Sequence, residues 1–321
     1  MNSIAIMCSG GDSSGMNCAI KKFVEYANDK NLIPYFIYDG LEGLIDGNIQ
    51  KVNYKDVSGI IHLGGTVIRT SRSKRFYEFS NRKTAYDNLQ NYNIDKLIVL
   101  GGDGSFKAMN IFCQEFDISF VGVPSTIDND VYGTDYCLGV DTALNIIKDA
   151  LDEIRDTSSS FKRAFVVETM GRDCGYLALV SALTSGAEMC IIPEIKYDLD
   201  SLKLKFEKEI KDGRSYIIAI VSEATKDTQK IKNWIQEDLK FEVREMVLGH
   251  IQRGGSPSVY DRLMAFEFIF YAIDRLVEQK KINEILVYKD AEFKFLDIDD
   301  VVDKVYQIDP NLLKLASKLT R

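Results

Sequence analysis

Short apolar runs alternate with amphipathic stretches along almost the whole of this 321-residue chain, and that alternation narrows the fold more than any other feature. Strand candidates lie at 3–8, 33–38, 59–63, 96–100, 118–123, 163–168, 189–192, 215–222, 243–248 and 284–288. Between many of them lie helix-like segments at 15–30, 81–92, 105–115, 139–155, 173–185, 199–211, 228–238 and 259–279. This order argues for parallel sheets joined by crossover helices, hence an α/β fold. So many strands exceed what one open sheet of a single domain carries, so two α/β lobes are expected. No Pro/Ser-rich linker divides them, only five prolines occur, and neither a fixed-period repeat nor a low-complexity tract is present.

Composition closes off several function classes. A chain that is 45% hydrophobic and 27% charged is globular in make-up, not disordered. The net charge of −8 gives no basic face for nucleic acid or an acidic membrane, although local arginines can still capture an anionic metabolite. Cys8, Cys18, Cys113, Cys137, Cys174 and Cys190 are scattered without a C-x-x-C pair, and His62 and His250 are the only histidines. A zinc site or a Cys–His nucleophile is therefore not expected. The chain reaches a Gly-Gly turn by residue 10 without a basic-then-apolar leader, and even its longest apolar stretches, such as Tyr216–Val221, are too short to span a bilayer. The expectation is a reduced cytoplasmic protein.

Two apolar strands end in acidic glycine turns. Lys96–Leu100 runs into Gly101-Gly102-Asp103-Gly104-Ser105, and Ile118–Val123 runs into Pro124-Ser125-Thr126-Ile127-Asp128-Asn129-Asp130. A buried strand, a glycine turn and a helix present backbone N–H groups to phosphate. Asp103 is placed to hold Mg²⁺, Ser105 to cap the next helix, and Asp128 to act as general base on a hydroxyl that Thr126 orients. Ser9-Gly10-Gly11-Asp12-Ser13-Ser14 follows the first strand and matches neither G-x-G-x-x-G nor the P-loop; alone it reads as a tight turn capped by Ser13 or Ser14. Together the turns point to phosphoryl transfer.

Arginines and a polar loop supply the remaining candidates. Arg69, Arg72, Lys74 and Arg75 crowd one seven-residue stretch after Gly64-Gly65-Thr66, where one guanidinium could stabilise a transferring phosphoryl. Arg155, Arg163, Arg172, Arg244 and Arg253 stand near strand ends or in glycine loops, and guanidinium forks bind phosphate. Gly249–Pro257 gathers His250, Gln252 and Arg253 between an apolar strand and a long helix. Glu223 ends a strand where it could accept from sugar hydroxyls, and Met170 reads as packing at the pocket edge. In open parallel sheets, ligands bind beyond the strands' carboxyl ends, which is where Gly10-Gly11-Asp12, Gly64-Gly65-Thr66, Asp103, Asp128, Met170-Gly171-Arg172, Glu223 and Gly249-His250 fall.

Read together, the motifs SGGD at 9–12, IYDG at 37–40, GGT at 64–66, GGDGS at 101–105, TIDND at 126–130, RDTSSS at 155–160, VVETMGR at 166–172 and LGHIQRGGSP at 248–257 resemble the bacterial-type phosphofructokinases. The resemblance covers nearly the whole chain and loosens after about residue 280. It implies two Rossmann-like lobes with the active site in the cleft between them: 1–137 plus 252–303 for ATP, 138–251 plus 304–321 for the sugar phosphate. It implies transfer of the ATP γ-phosphoryl to the 1-hydroxyl of fructose 6-phosphate, with Mg²⁺ on Asp103. Asp128 would be the base, Gly11 and Arg72 would act on the transferring phosphoryl, and Thr126 and Arg172 would assist. Ser73, Gly102, Gly104 and Ser105 would complete the ATP site. Arg163, Arg244, His250 and Arg253 would hold the 6-phosphate, with Thr126, Met170, Gly171 and Glu223 on the sugar. Because Arg163 and Arg244 reach a neighbouring subunit's site in this family, a homotetramer is implied.

The same resemblance bears on donor and regulation. Pyrophosphate-using relatives carry Asp at the second glycine of GGDGS and Lys before TIDND; Gly104 and Ser125 here leave space for ATP. Leu41 replaces a tyrosine common after IYDG, a change that removes one nucleotide contact. Arg155, Gly186, Glu188 and Arg214 match the effector pattern of ADP-activated members and Lys21 keeps a positive charge, whereas Glu25, Tyr54 and Asp212 stand at positions that are basic in them. Weak or absent ADP activation is expected. The competing readings are a pyrophosphate-dependent phosphofructokinase, a GGDG-type NAD or lipid kinase, and a non-catalytic regulatory subunit of the same fold.

Overall fold

The computed structural model describes residues 3–279 and 281–319. Two compact units emerge: a larger one of Met1–Ile127, Val131–Thr142 and Arg253–Tyr306, and a smaller one of Asp128–Asp130, Ala143–Gln252 and Gln307–Arg321.

In the larger unit the strands are β1 (Ser3–Cys8), β2 (Ile33–Ile37), β3 (Ile49–Lys51), β4 (Ile94–Gly101) and β5 (Ser119–Pro124). The smaller unit contributes β6 (Ala164–Thr169), β7 (Met189–Ile191), β8 (Ile217–Ser222) and β9 (Val243–Val247), and the larger unit closes with β10 (Asn283–Lys289) and β11 (Glu292–Asp297). The larger sheet has the order β11-β10-β5-β4-β1-β2-β3. Its core pairs are parallel, and β3 and β11 add antiparallel edges. Every residue of β1 is buried, as expected of a strand covered by helices on both faces. The chain builds outward from β1 in both directions, so a topological switch point falls between β1 and β4.

The helices are α1 (Met16–Asp29), α2 (Gly40–Asp46), α3 (Phe79–Asn91), α4 (Asp103–Glu115), α5 (Val140–Phe161), α6 (Tyr176–Ser185), α7 (Leu199–Lys211), α8 (Thr228–Asp238), α9 (Val259–Glu278) and α10 (Pro310–Leu315). In the larger unit α1 packs against α9. Asp261, in the first turn of α9, is wholly buried; it accepts from Tyr136 Oη, from the Gly139 N–H (2.6 Å) and from the Thr142 N–H (2.8 Å). Burial raises its carboxyl above the ordinary value, and these donors oppose the shift.

In the smaller unit the sheet is wholly parallel, in the order β7-β8-β6-β9. Alternate residues of β8, namely Ile217, Ala219 and Val221, share a core with Phe206 of α7 and Ile231 and Ile235 of α8. Truncating the fully buried Phe206 to Ala would cost about 3–5 kcal/mol.

Three local expectations fail for identifiable reasons. Segment 59–63 forms turns, not a strand; the Ile61, Leu63 and Gly64 carbonyls accept from the Cys18 and Asn17 side chains of α1 instead of a ladder. Ser105 does not cap α4: Gly102 is the N-cap, and the Ser105 hydroxyl donates to Ser9 Oγ at 2.9 Å. Neither Ser13 nor Ser14 caps α1, which begins after a left-handed Gly15; Ser14 Oγ donates to the Gly254 and Gly255 carbonyls instead.

Candidate active site

At the switch point of the larger sheet, the loops after β1 and β4 lie side by side. The Ser9 N–H donates to the Leu100 carbonyl at 2.9 Å, and the Ser125 N–H after β5 donates to the Gly101 carbonyl at 2.8 Å. A Cβ on Gly101 would meet Ser9 O at 2.9 Å and Ser105 at 2.8 Å, so glycine there permits the close packing of the turns. A Cβ on Gly102 would lie 3.7 Å from Thr126. Gly11, Gly102, Asp103, Gly104, Ser105 and Thr126 are thereby gathered along adjacent strand ends.

Gly104 is informative because the backbone does not require it. Its φ is helical, and a Cβ would meet nothing within 4 Å. Asp103 opens α4, where its carboxylate faces the positive end of the helix, and its Oδ2 meets Lys107 Nζ at 3.0 Å. That half-exposed carboxylate already accommodates a cation. A single carboxylate matches the way Mg²⁺ is commonly held, by one or two protein oxygens with substrate phosphates and water supplying the rest. No cluster of three or more His, Cys, Asp or Glu occurs among the described residues.

Arg253 belongs to this unit. Its guanidinium donates to the Asp12 carbonyl at 3.1 Å and lies 2.5 Å from where a Gly11 Cβ would stand. Arg72 is exposed, between Ser71 and Ser73, and the Ser73 hydroxyl accepts from the Phe76 N–H at 3.1 Å.

The smaller unit assembles a second group. Asp128 is 1% exposed, and Arg172 spans it and Asp130, with nitrogen–oxygen separations of 3.8 Å to each. A guanidinium at that range offsets part of the cost of burying a carboxylate. Met170, Gly171 and Arg172 follow β6, Glu223 follows β8, and His250 follows β9, so all stand at the carboxyl edge of adjacent strands. Glu223 Oε1 accepts from the Gly171 and Arg172 N–H groups at 3.1 and 2.9 Å. Gly171 adopts φ 147, and a Cβ there would stand 2.2 Å from the Cys174 carbonyl, so no other residue fits this turn.

Arg163 and Arg244 are not part of that group. Arg163 precedes β6, and Arg244 pairs in register with Phe165, so both sit at the amino end of the sheet. They share Glu242, at 2.8 and 2.6 Å, and Arg163 holds its carboxyl below the ordinary range. The effector candidates of this unit do gather: Arg214 meets Glu188 at 2.8 Å, Arg155 meets it at 4.0 Å, and Arg155 reaches the Gly186 carbonyl at 3.3 Å. Lys21 pairs with Glu25 at 2.6 Å along α1 of the larger unit.

Two supporting residues stand out, Gln252 of the polar loop already noted and Asn17, which the sequence reading did not single out. Gln252 is 1% exposed; it accepts from the Met170 N–H at 3.1 Å and donates to the Gly249 carbonyl at 2.9 Å, tying the loops after β6 and β9 together. Asn17, fully buried, bonds to Leu63, Gly64 and Val67 and fixes the GGT loop. An uncharged polar residue in the apolar first turn of α1 is the only signal that Asn17 leaves.

A doubly wound sheet with glycine turns and an acid at its switch point is an arrangement that suits phosphate-bearing ligands. A family profile described as Phosphofructokinase matches residues 3–276. An ATP-dependent 6-phosphofructokinase of a Sulfurovum species is 60% identical over 317 residues, covering 98% of this chain and 97% of its own. The protein of the same name from Sulfurimonas denitrificans is 56% identical, covering 99% and 100%. The solved phosphofructokinase of Saccharomyces cerevisiae superposes with a TM-score of 0.90 at 31% identity over 94% of this chain, which spans 45% of the yeast chain. A pyrophosphate-dependent phosphofructokinase from Marinobacter aquaeolei, 17% identical with a TM-score of 0.84, shares the fold. The chain belongs to the phosphofructokinase family. No helix among the described residues is long and apolar enough to cross a membrane.

Proposed function

We propose that this chain acts as an ATP-dependent 6-phosphofructokinase, transferring the γ-phosphoryl of ATP to the 1-hydroxyl of fructose 6-phosphate. The observation that carries the reading is Asp128, a buried carboxylate faced by Arg172, in a chain whose other unit opens glycine turns at a switch point. A module that only binds needs no buried base. Asp128 takes the proton of the 1-hydroxyl, which Thr126 orients; Gly11 presents its backbone N–H, and Arg72 its guanidinium, to the charge that develops on the transferring phosphoryl. Arg172 contacts both substrates.

Ser73, Gly102, Gly104 and Ser105 complete the nucleotide site of the larger unit. Asp103 is the ligand for Mg²⁺, which supplies charge neutralisation for the phosphates. Met170, Gly171, Glu223, His250 and Arg253 hold the sugar phosphate. Gly104 and Ser125 favour ATP over pyrophosphate, since the room beside Gly104 is where a larger residue would exclude a nucleotide.

Arg163 and Arg244 serve a neighbouring copy. They stand at the opposite end of the strands from Met170 and His250, and β9 exposes Arg244, Met246 and Val247. A homotetramer with shared active sites accounts for both features. ADP activation is weak or absent, because Glu25, Tyr54 and Asp212 stand where ADP-activated members are basic, and Glu25 engages Lys21. The cytoplasm suits an enzyme whose six cysteines are all free.

The test is Asp128→Ala in the purified protein, assayed with ATP and with pyrophosphate. Turnover with ATP should drop about 10²-fold or more while fructose 6-phosphate still binds. Unchanged kcat would remove Asp128 from the mechanism, and a wild-type preference for pyrophosphate would overturn the donor assignment.

A further inference from the structure

The IYDG motif contains an aspartate with no role in the reaction so far described. Asp39 occupies the N-cap position of α2, where a short acidic side chain ordinarily accepts from the helix's first N–H groups; here it makes no such bond. Its carboxylate instead receives Arg69 through Nε and, at 2.6 Å, through Nη2, and Asn48 Nδ2 donates to the same group at 2.9 Å. Arg69 stands three residues before Arg72.

The main chain of Asp39 is committed to the same loop. Its N–H donates to the Ile68 carbonyl at 3.0 Å, and its carbonyl accepts from Ser71 Oγ at 2.5 Å. Beyond Ser71 the chain is tied to the first glycine turn: the Gly10 N–H donates to the Ser71 carbonyl at 3.1 Å, and Thr70 Oγ1 donates to the Gly10 carbonyl at 3.0 Å. Gly40 makes the approach possible, since a Cβ there would fall 2.6 Å from the Cys8 carbonyl and 3.2 Å from the Ser71 nitrogen. On the far side, Arg75 pairs with Glu42 at 2.8 Å and with Asp46 at 2.9 Å, both on α2.

The backbone carries the same message. Asp39 and Arg69 both adopt left-handed conformations, φ 59 and φ 57, readily tolerated by Asp but uncommon for a long side chain such as Arg69, whose guanidinium the Asp39 carboxylate holds. The residues on either side of Arg72 are thus fixed, while its own side chain is exposed and has no hydrogen bond or ion pair with the described residues. Holding the flanks and leaving the guanidinium open is what an electrostatic group needs in order to act without reorganising during the reaction.

We propose that Asp39 is a positioning residue for phosphoryl transfer: through Arg69 and Ser71 it sets the loop that aims Arg72 beside Gly10-Gly11. The proposal rests on Arg72 acting on the transferring phosphoryl.

The experiment is a double-mutant cycle of Asp39→Asn and Arg72→Met, read as kcat and KM for ATP. Asn tolerates the left-handed conformation, so D39N removes the charge and spares the backbone. D39N should lower kcat roughly 5–10-fold with little change in KM, and should cost less than about twofold when added to R72M, because groups acting as a unit are not additive. Arg69→Met, which breaks the same pair from the exposed side, should reproduce D39N and replaces it should D39N fail to fold. Unchanged kcat in D39N, or an equal loss in the R72M background, would overturn the proposal while leaving the role of Arg72 intact. Unchanged kcat in R72M alone would overturn the role of Arg72, and this proposal with it.

Discussion

Replacing Gly104 by Asp separates what the fold needs from what the nucleotide needs. In the folded chain a Cβ at 104 meets no atom within 4 Å and the φ angle is not left-handed, so no steric penalty arises. Loss of glycine from the first turn of α4 removes unfolded-chain entropy worth about 0.5–1 kcal/mol, and a carboxylate facing the helix dipole adds about 0.3–1 kcal/mol. G104D is therefore expected to unfold at the same temperature as the parent or slightly higher. ATP binding should respond in the opposite sense. A carboxylate about 4 Å from a phosphate oxygen is repelled by roughly 4 kcal/mol at an effective dielectric near 20 and by about 1 kcal/mol in bulk water. Because residue 104 is exposed, we take about 2–3 kcal/mol, which raises KM for ATP roughly 30–150-fold. The assay is thermal unfolding beside steady-state kinetics, with Gly104→Ala as the uncharged control. A fall in unfolding temperature of several degrees would refute the claim of open space at 104. A KM for ATP within about threefold of the parent would refute the placement of the nucleotide there.

Two further outcomes follow from the same geometry. Gly171→Ala puts a methyl 2.2 Å from the Cys174 carbonyl and must shift the turn whose N–H groups hold Glu223, so kcat/KM for fructose 6-phosphate should fall at least about tenfold while KM for ATP stays within about twofold; equal losses for both substrates would contradict this. Burial pushes the Cys8, Cys113, Cys174 and Cys190 thiols up to about 12 from an ordinary value of 9.0, so native protein at pH 8 should resist iodoacetamide and unfolded protein should not. Since the folded values are the higher ones, the stability these thiols contribute is present below about pH 9 and is lost as pH rises toward 12, which thermal unfolding across that range would show.

The glycine turns were legible because their information is local. Gly101–Ser105 and Pro124–Asp130 each follow an apolar strand, and a strand, turn and helix in succession need no knowledge of the rest of the chain. What stayed hidden depends on partners distant in sequence. Asp39 looks like an ordinary cap until Arg69, thirty positions on, is seen to hold it. The apolar run 59–63 has the look of a strand, yet α1 supplies the acceptors' partners that a neighbouring strand would have supplied. Strand β3, only three residues long, carries too little pattern to be seen. At Ser105 and Ser14 the residue type was right for a cap, but each hydroxyl found a tertiary partner, and tertiary bonding overrode the local preference.

Strand β6 shows how nearness in sequence misleads about a site. Arg163 and Met170-Gly171-Arg172 are separated by one six-residue strand, and as a list of charged and polar residues they read as one cluster. A strand advances about 3.3 Å per residue, so the two groups stand roughly 20 Å apart at opposite ends of the sheet. No single sugar phosphate can bridge that span. The parallel register makes the division firmer: Arg244 joins Arg163 at the amino end, while the Leu248 N–H reaches the Glu168 carbonyl and carries His250 to the carboxyl end. Both members of the amino-end pair converge on one exposed carboxylate, Glu242. Under the proposed function, in which Arg163 and Arg244 bind phosphate, the ligand they meet is one that another chain brings. Strand β6 thereby separates the two groups by its whole length, and the proposed homotetramer rests on that spacing more than on any exposed apolar surface.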